Sequence, residues 1–157
     1  MPLSQMITTE LTLTNSEVIH LPTTPITIAP AVVGAVLYPL FAHARLNWVA
    51  DYSNIDANAQ LQIRVGGQDT VIPLRQEVTS SVGGLLAGGG PDGTHAFFSP
   101  FFVLVAGVFS SYSNIYDSDI VNFPIVIKID NGVAGILTGG NAGNSLTLQV
   151  AYMVLPI

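Results

Sequence analysis

Charge is what this sequence has least of. Only 4 of its 157 residues are Lys or Arg and 10 are Asp or Glu, 9% together, against roughly 25% in soluble domains. The four cations, Arg45, Arg64, Arg75 and Lys128, are scattered along a chain of net charge −6. Binding a phosphate backbone runs on clustered Lys and Arg, so no nucleic-acid partner is expected. Cysteine is absent, which excludes disulfides, thiolate metal sites and a thiol nucleophile. An unbroken apolar run of about 20 residues, the length of a spanning helix, is missing too. Of the two most apolar stretches, residues 26–44 are interrupted by Pro30, Gly34 and Pro39, and residues 96–109 by Ser99 and Pro100. A membrane barrel of at least about eight strands of ten residues would consume nearly the whole chain, so no membrane partner is expected. The opening MPLSQMITTE lacks the basic region, apolar stretch and cleavage site of a secretory signal, and use without export is expected.

What is present is apolar and uncharged polar. Hydrophobic residues make up 49%, and Thr, Ser, Asn and Gln supply most of the polar remainder. Such a surface is easily desolvated, and charge is depleted at the centres of protein interfaces because a buried ion must be paired. Much of this surface is therefore expected to be covered by protein in the working state. The length suits one domain, residues 1–157, with a core of its own.

The dominant pattern is period-2 alternation, the mark of half-buried strands. Ile7, Leu11 and Leu13 alternate with Thr8, Glu10 and Thr12. Leu61, Ile63 and Val65 alternate with Gln60, Gln62 and Arg64, and Ile125, Ile127 and Ile129 flank Val126 and Lys128. In the longest run Leu146, Leu148, Val150, Tyr152 and Val154 oppose Thr147, Gln149, Ala151 and Met153. Turn-forming clusters separate the runs: Asn15-Ser16, Pro22 to Pro25, Ser53-Asn54, Asp130-Asn131-Gly132 and Gly139-Gly140-Asn141. No segment shows a sustained 3.6-residue period with caps, and Leu74 to Val82 is the one candidate for a short helix. The expected fold class is all-β, a single jelly-roll-like β-sandwich of about eight strands. Residues 1–21 are expected as an arm and the glycine-dense stretch 82–94 as a mobile loop. The strand from Ala35 to Val49 is apolar on both faces for part of its length, as expected deep in a sandwich or at a subunit contact.

No motif carries chemistry. His20, His43 and His95 lie far apart, without HxH or HxxxH spacing, and there is no GxSxG elbow to present a nucleophile. Asn114, Asp117, Asp119 and Asn122 offer oxygen ligands of the kind calcium takes, but without the glycine and distant glutamate of an EF-hand loop; they read as a solvated turn, with a structural metal ion as the alternative. GGGPDGTH and TGGNAGN lack the lysine and following helix of a phosphate loop. No enzyme activity, cofactor or metal is expected. The aromatics Phe97, Phe98, Phe101 and Phe102 cluster around Pro100, either in the core or as a contact patch, since aromatic anchors carry much of an interface's energy. With Ile7, Leu11, Leu13 and Trp48 they are the candidate interface residues.

Two segments resemble small accessory structural proteins of tailed bacteriophages. One is the opening ITTELTLTNSEVIHLPTTPITIAPA; the other is the close, NFPIVIKIDNGVAGILTGGNAGNSLTLQVAYMVLPI, where a strand leads through a TGG turn into a long alternating strand. Members of that group are capsid decoration (cement) proteins, head fibres and tail adaptors. The resemblance implies a β-sandwich, often trimeric, that holds to a capsid or tail surface of the virion after assembly in the host cytoplasm. The leading expectation is a cement protein that oligomerises and clamps the major capsid protein or other virion proteins. The alternative is a tail or fibre component binding a host receptor or glycan, for which Tyr112, Asn114, Tyr116, Asp117 and Asp119 are the only stretch of suitable flavour.

Overall fold

The computed structural model of the chain describes residues 6–56, 59–65, 74–77, 86, 94–98, 121–131 and 134–157. These form β1 (Met6–Thr14), α1 (Asn15–His20), β2 (Ile26–Ala29), β3 (Ala35–Asn47), β4 (Tyr52–Ser53), β5 (Gln60–Val65), β6 (Leu74–Glu77), β7 (Thr94–Phe98), β8 (Ile125–Asp130), β9 (Thr138–Gly139) and β10 (Ser145–Pro156). The fold class is all-β. Two four-stranded antiparallel sheets run in the orders β1-β10-β3-β7 and β2-β8-β5-β6, and β4 pairs with β9.

Alternation fixes which side chains meet. β1 lies along β10 without a break, from Met6 opposite Met153 to Thr14 opposite Ser145. Because successive side chains point to opposite faces, that register builds inward rungs across the first sheet: Leu13, Leu146 and Leu46, then Leu11, Leu148 and Ala44. Leu13, Leu146, Leu46 and Leu148 are fully buried. The second sheet contributes Leu61 and Ile63 from β5 and Ile125, Ile127 and Ile129 from β8, all fully buried in the same apolar cluster. Each such side chain contributes about 1.5–3 kcal/mol when removed from water.

Three expectations need correcting. Residues 6–21 are not an arm: β1 is hydrogen-bonded along its length, and Leu13, Val18 and Leu21 are fully buried in the core. Leu74–Glu77 is not helical, because its backbone pairs with β5 from Ile63 opposite Leu74 to Gln60 opposite Glu77; a ladder of hydrogen bonds outweighs weak local propensity. Asn15-Ser16 opens a helix rather than a turn. Thr14 caps it, accepting from the Glu17 N–H at 3.4 Å while the Glu17 carboxylate accepts from the Thr14 N–H at 2.8 Å. That reciprocal box satisfies two orphan donors at the start of a six-residue helix. The Thr14 N–H, and the Thr14 hydroxyl donating to the same Glu17 oxygen at 2.8 Å, hold the Glu17 pKa below the ordinary carboxylate value. Within the glycine-dense stretch, Leu86 is fully buried and its carbonyl accepts from the Tyr52 N–H at 3.2 Å; residues 82–85 and 87–93 lie outside the described residues, as do 78–82.

α1 is held against the β4–β9 pair by a close backbone approach. Gly140 has φ +70, and a Cβ there would run into the Asn15 side chain and come within 2.7 Å of the Tyr52 ring. Gly140→Ala is therefore expected to destabilise the protein by about 2–3 kcal/mol, from strain at positive φ and from overpacking together. The shift of the urea midpoint measures it, and an unshifted midpoint would mean that α1 can give way.

Candidate interaction surface

The outward face of the first sheet divides into two halves. Register stacks Thr12, Thr147 and Arg45 on one rung and Glu10, Gln149 and His43 on the next. This half is polar and cross-linked: the Gln149 amide donates to Glu10 Oε2 at 2.7 Å, and the Thr12 and Thr147 hydroxyls lie 3.2 Å apart. From the next rung on, the face turns apolar. Thr8, Ala151 and Phe41 share one rung, and Met6, Met153 and Tyr38 share the next; Ala151 is fully buried and Met153 and Tyr38 are half-buried. Met6 is 59% exposed and Phe41 46%.

An irregularity makes the apolar half possible. Ala151 faces Phe41 but Tyr152 faces Pro39, so Leu40 is an extra residue in β3. The extra residue brings Tyr38 and Phe41, three apart in sequence, onto the same face. Pro39 sits in this bulge, beyond the reach of β7, which pairs only with Ala42 to Leu46. A proline with no ladder hydrogen bond to donate is tolerated at such a place.

The apolar half continues along β10 through Met153 and Leu155 to Ile157, which is 69% exposed, and reaches the turn before β3. That turn is built rigidly. Ala35 N–H donates to the Val32 carbonyl at 3.3 Å, Ile157 N–H to the Gly34 carbonyl at 3.0 Å, and Gly34 N–H to Asn122 Oδ1 at 2.6 Å. Asn122 N–H returns to the Ala35 carbonyl at 3.1 Å. Gly34 takes φ +72, open to glycine without strain. The result is Val33, 95% exposed beside Val32, on a frame fixed from β10 and from Asn122. An isolated exposed valine is ordinary, whereas a run of apolar side chains along one sheet marks a site of contact.

The second sheet is different. On the side of β5 opposite Leu61, Ile63 and Val65, Arg64 Nε donates to Gln62 Oε1 at 2.7 Å and the Gln62 amide donates to Asp130 Oδ2 at 3.1 Å. Gln62 and Arg64, which alternation alone would leave in water, are buried. Register also sets Arg75 and Lys128 on either side of Gln62. Three of the four cations, apart in sequence, are thus neighbours on one sheet.

Little of the described surface offers chemistry. Among the described residues no three of His, Asp and Glu converge, and no helix is long and apolar enough to cross a membrane. His20 Nδ1 lies 2.7 Å from the Ser16 carbonyl on α1. The Tyr52 hydroxyl is buried without a hydrogen-bond partner. Burial pushes its pKa up, against a smaller opposing effect of the nearby Asn144 side chain, and a phenol so placed is a poorer acid.

The candidate interface residues fall in different places. Leu13 is fully buried between α1 and its leucine rung and has no surface to offer, which removes it from the interface. Ile7 and Leu11 are half-buried at the margin of the core. Trp48 packs on the core and its indole N–H donates to Asp51 Oδ1 at 2.8 Å. Phe97 and Phe98 belong to β7, opposite His43 and Ala42. Phe101 and Phe102, with the Asp117/Asp119 loop, lie outside the described residues. Exposed residues that alternation did not single out include Val33, Phe41, Met6 and Ile157; Val49 and Ile136 are exposed as well, away from this face. The signal on the face is the outward set of each strand, which switches from polar to apolar: Gln149 to Met153 in β10, His43 to Phe41 in β3, Thr8 to Met6 in β1. No protein-family model, curated protein or solved structure matches the chain.

Proposed function

We propose that the protein is a non-catalytic structural component of a bacteriophage virion, a jelly-roll decoration protein that binds the major capsid shell. The observation that carries the reading is the apolar half of the outward face, with the valines of the turn at its end. On a chain so poor in charge, that surface asks for a protein partner rather than for a small substrate. A rigid turn suits the role, because little order is lost when it docks.

The strand order supports the jelly-roll part of the reading. Among the described strands, with the short β4 and β9 set aside, the first, eighth, third and sixth make one sheet, and the second, seventh, fourth and fifth make the other. That order matches the winding of two interleaved Greek keys, an architecture frequent in viral capsid proteins. This support is an analogy of fold, since one fold hosts many functions. The placement on a phage rests on the resemblance of the two terminal segments.

The test is co-sedimentation with phage capsid shells stripped of accessory proteins. Wild type is expected to bind and saturate. Val33→Asp is expected to weaken binding at least tenfold, because one buried valine contributes about 1.5–3 kcal/mol. Shells that take up the variant as well as wild type would place the contact elsewhere. Shells that ignore wild type would end the capsid reading.

A further inference from the structure

We propose that β1 is a seam at which two copies of this chain pair edge to edge, antiparallel about a twofold axis at Thr9. The proposal deepens the preceding reading and rests on it only for the partner surface that a dimer would meet with two contacts.

Among the described residues the two main sheets have four edge strands: β1, β7, β2 and β6. An edge presents unpaired N–H and C=O groups, and proteins that stay apart blunt it by shortness, proline, charge or bulges. β2 is four residues long, lies between Pro25 and Pro30, and has an irregular register between Thr27 and Ala29. β6 is four residues long and carries Arg75 and Glu77. β7 has five residues. β1 has nine residues and an unbroken register, with no proline, glycine or cation and Glu10 as its one charge. Among the described residues β10 is the only strand that pairs with it. Among the described residues it is the longest and least blunted of the four edges.

Register selects a second copy as the occupant and fixes how it sits. In an antiparallel pair about a twofold axis, inward side chains stay with inward ones only if the axis passes through a residue. An axis at Glu10 would set the two Glu10 carboxylates directly opposite each other, which is destabilising. An axis at Leu11 would spend Leu13, already fully buried, against Thr9. An axis at Thr9 pairs Ile7 with Leu11 of the second copy and Leu11 with its Ile7. Both are half-buried in the single chain, so the seam covers apolar surface that one copy leaves exposed. On the outward face the same register sets Thr8 against Glu10. The axis stands perpendicular to the joined sheet, so both apolar halves face the same way. A dimer then meets its partner surface with two contacts, and the avidity of the pair exceeds that of either.

Light scattering and sedimentation equilibrium across protein concentration test the seam. Wild type is expected to be a dimer. Thr8→Glu brings a carboxylate opposite Glu10 twice across the axis and is expected to raise the dimer Kd about tenfold. Thr8→Lys, at the same exposed position, faces Glu10 with the opposite sign and is expected to hold or tighten the dimer, which separates charge from damage to the fold. The double variant Thr8→Glu/Glu10→Lys is expected to restore dimerisation. A wild type that is monomeric or trimeric, or a dimer indifferent to Thr8→Glu, would overturn the seam. A monomer that still saturates stripped shells would do so while leaving the proposed function standing.

Discussion

Deleting residues 1–14 is expected to abolish the fold rather than to trim an arm from it. The deletion removes β1 and with it the whole ladder along β10. It also removes Leu13 from its rung with Leu146 and Leu46, and the cover that Ile7 and Leu11 give the core margin. Burial of Leu13 alone contributes about 1.5–3 kcal/mol. Opening β10 along its length and exposing Leu146 and Leu148 adds more, against a total stability of about 5–15 kcal/mol for an ordinary domain. Thr14 is also the cap of α1, so Val18 and Leu21 lose their anchor at the same stroke. Circular dichroism and urea titration of the truncated chain check this. Loss of a cooperative transition is the expected result, and a wild-type midpoint would show that β1 is dispensable.

The second large effect is expected at Asn144→Ala. Asn144 is 2% exposed and clamps the turn after β3 to the start of β10. Its Oδ1 accepts from the N–H groups of Val49 at 2.8 Å and Ala50 at 3.2 Å, and its Nδ2 donates to the Ala50 carbonyl at 2.8 Å. Alanine leaves those backbone groups without their partner. Each buried group so stranded costs about 1–3 kcal/mol, and a total of roughly 3–4 kcal/mol is expected because part of the turn can reach water. The expected signature is a lower urea midpoint with an unchanged slope. A midpoint within the error of wild type would mean that the turn finds other partners.

The strands were legible because alternation reports burial on one face directly. Leu146, Leu148 and Val150 inward, with Thr147 and Gln149 outward, needed no tertiary knowledge. α1 was hidden by its length: six residues cannot show a helical period, although Thr14 and Glu17 spelled a capping box. β6 was obscure because LRQE carries no apolar pattern of its own and is a strand by virtue of β5. The burial of Gln62 and Arg64 was also out of reach, since alternation says which residues share a face and not what lies over that face. Of the proposed seam, Ile7 and Leu11 were visible as apolar residues of a strand, and so was Leu13, which the leucine rung then withdrew. Phe41 and Tyr38 depend on the bulge at Leu40, and Val33 depends on a turn held by Asn122 from far along the chain; neither leaves a local mark.

Amide hydrogen exchange, comparing free protein with protein bound to stripped capsid shells, tests the central claim most directly. The account predicts that binding protects the turn at residues 31–35, the β3 segment 36–41 and the end of β10 from Met153 to Ile157, while β5 and β8 exchange as in the free protein. Protection confined to β5 and β8, or to the polar half around Gln149 and Arg45, would contradict it.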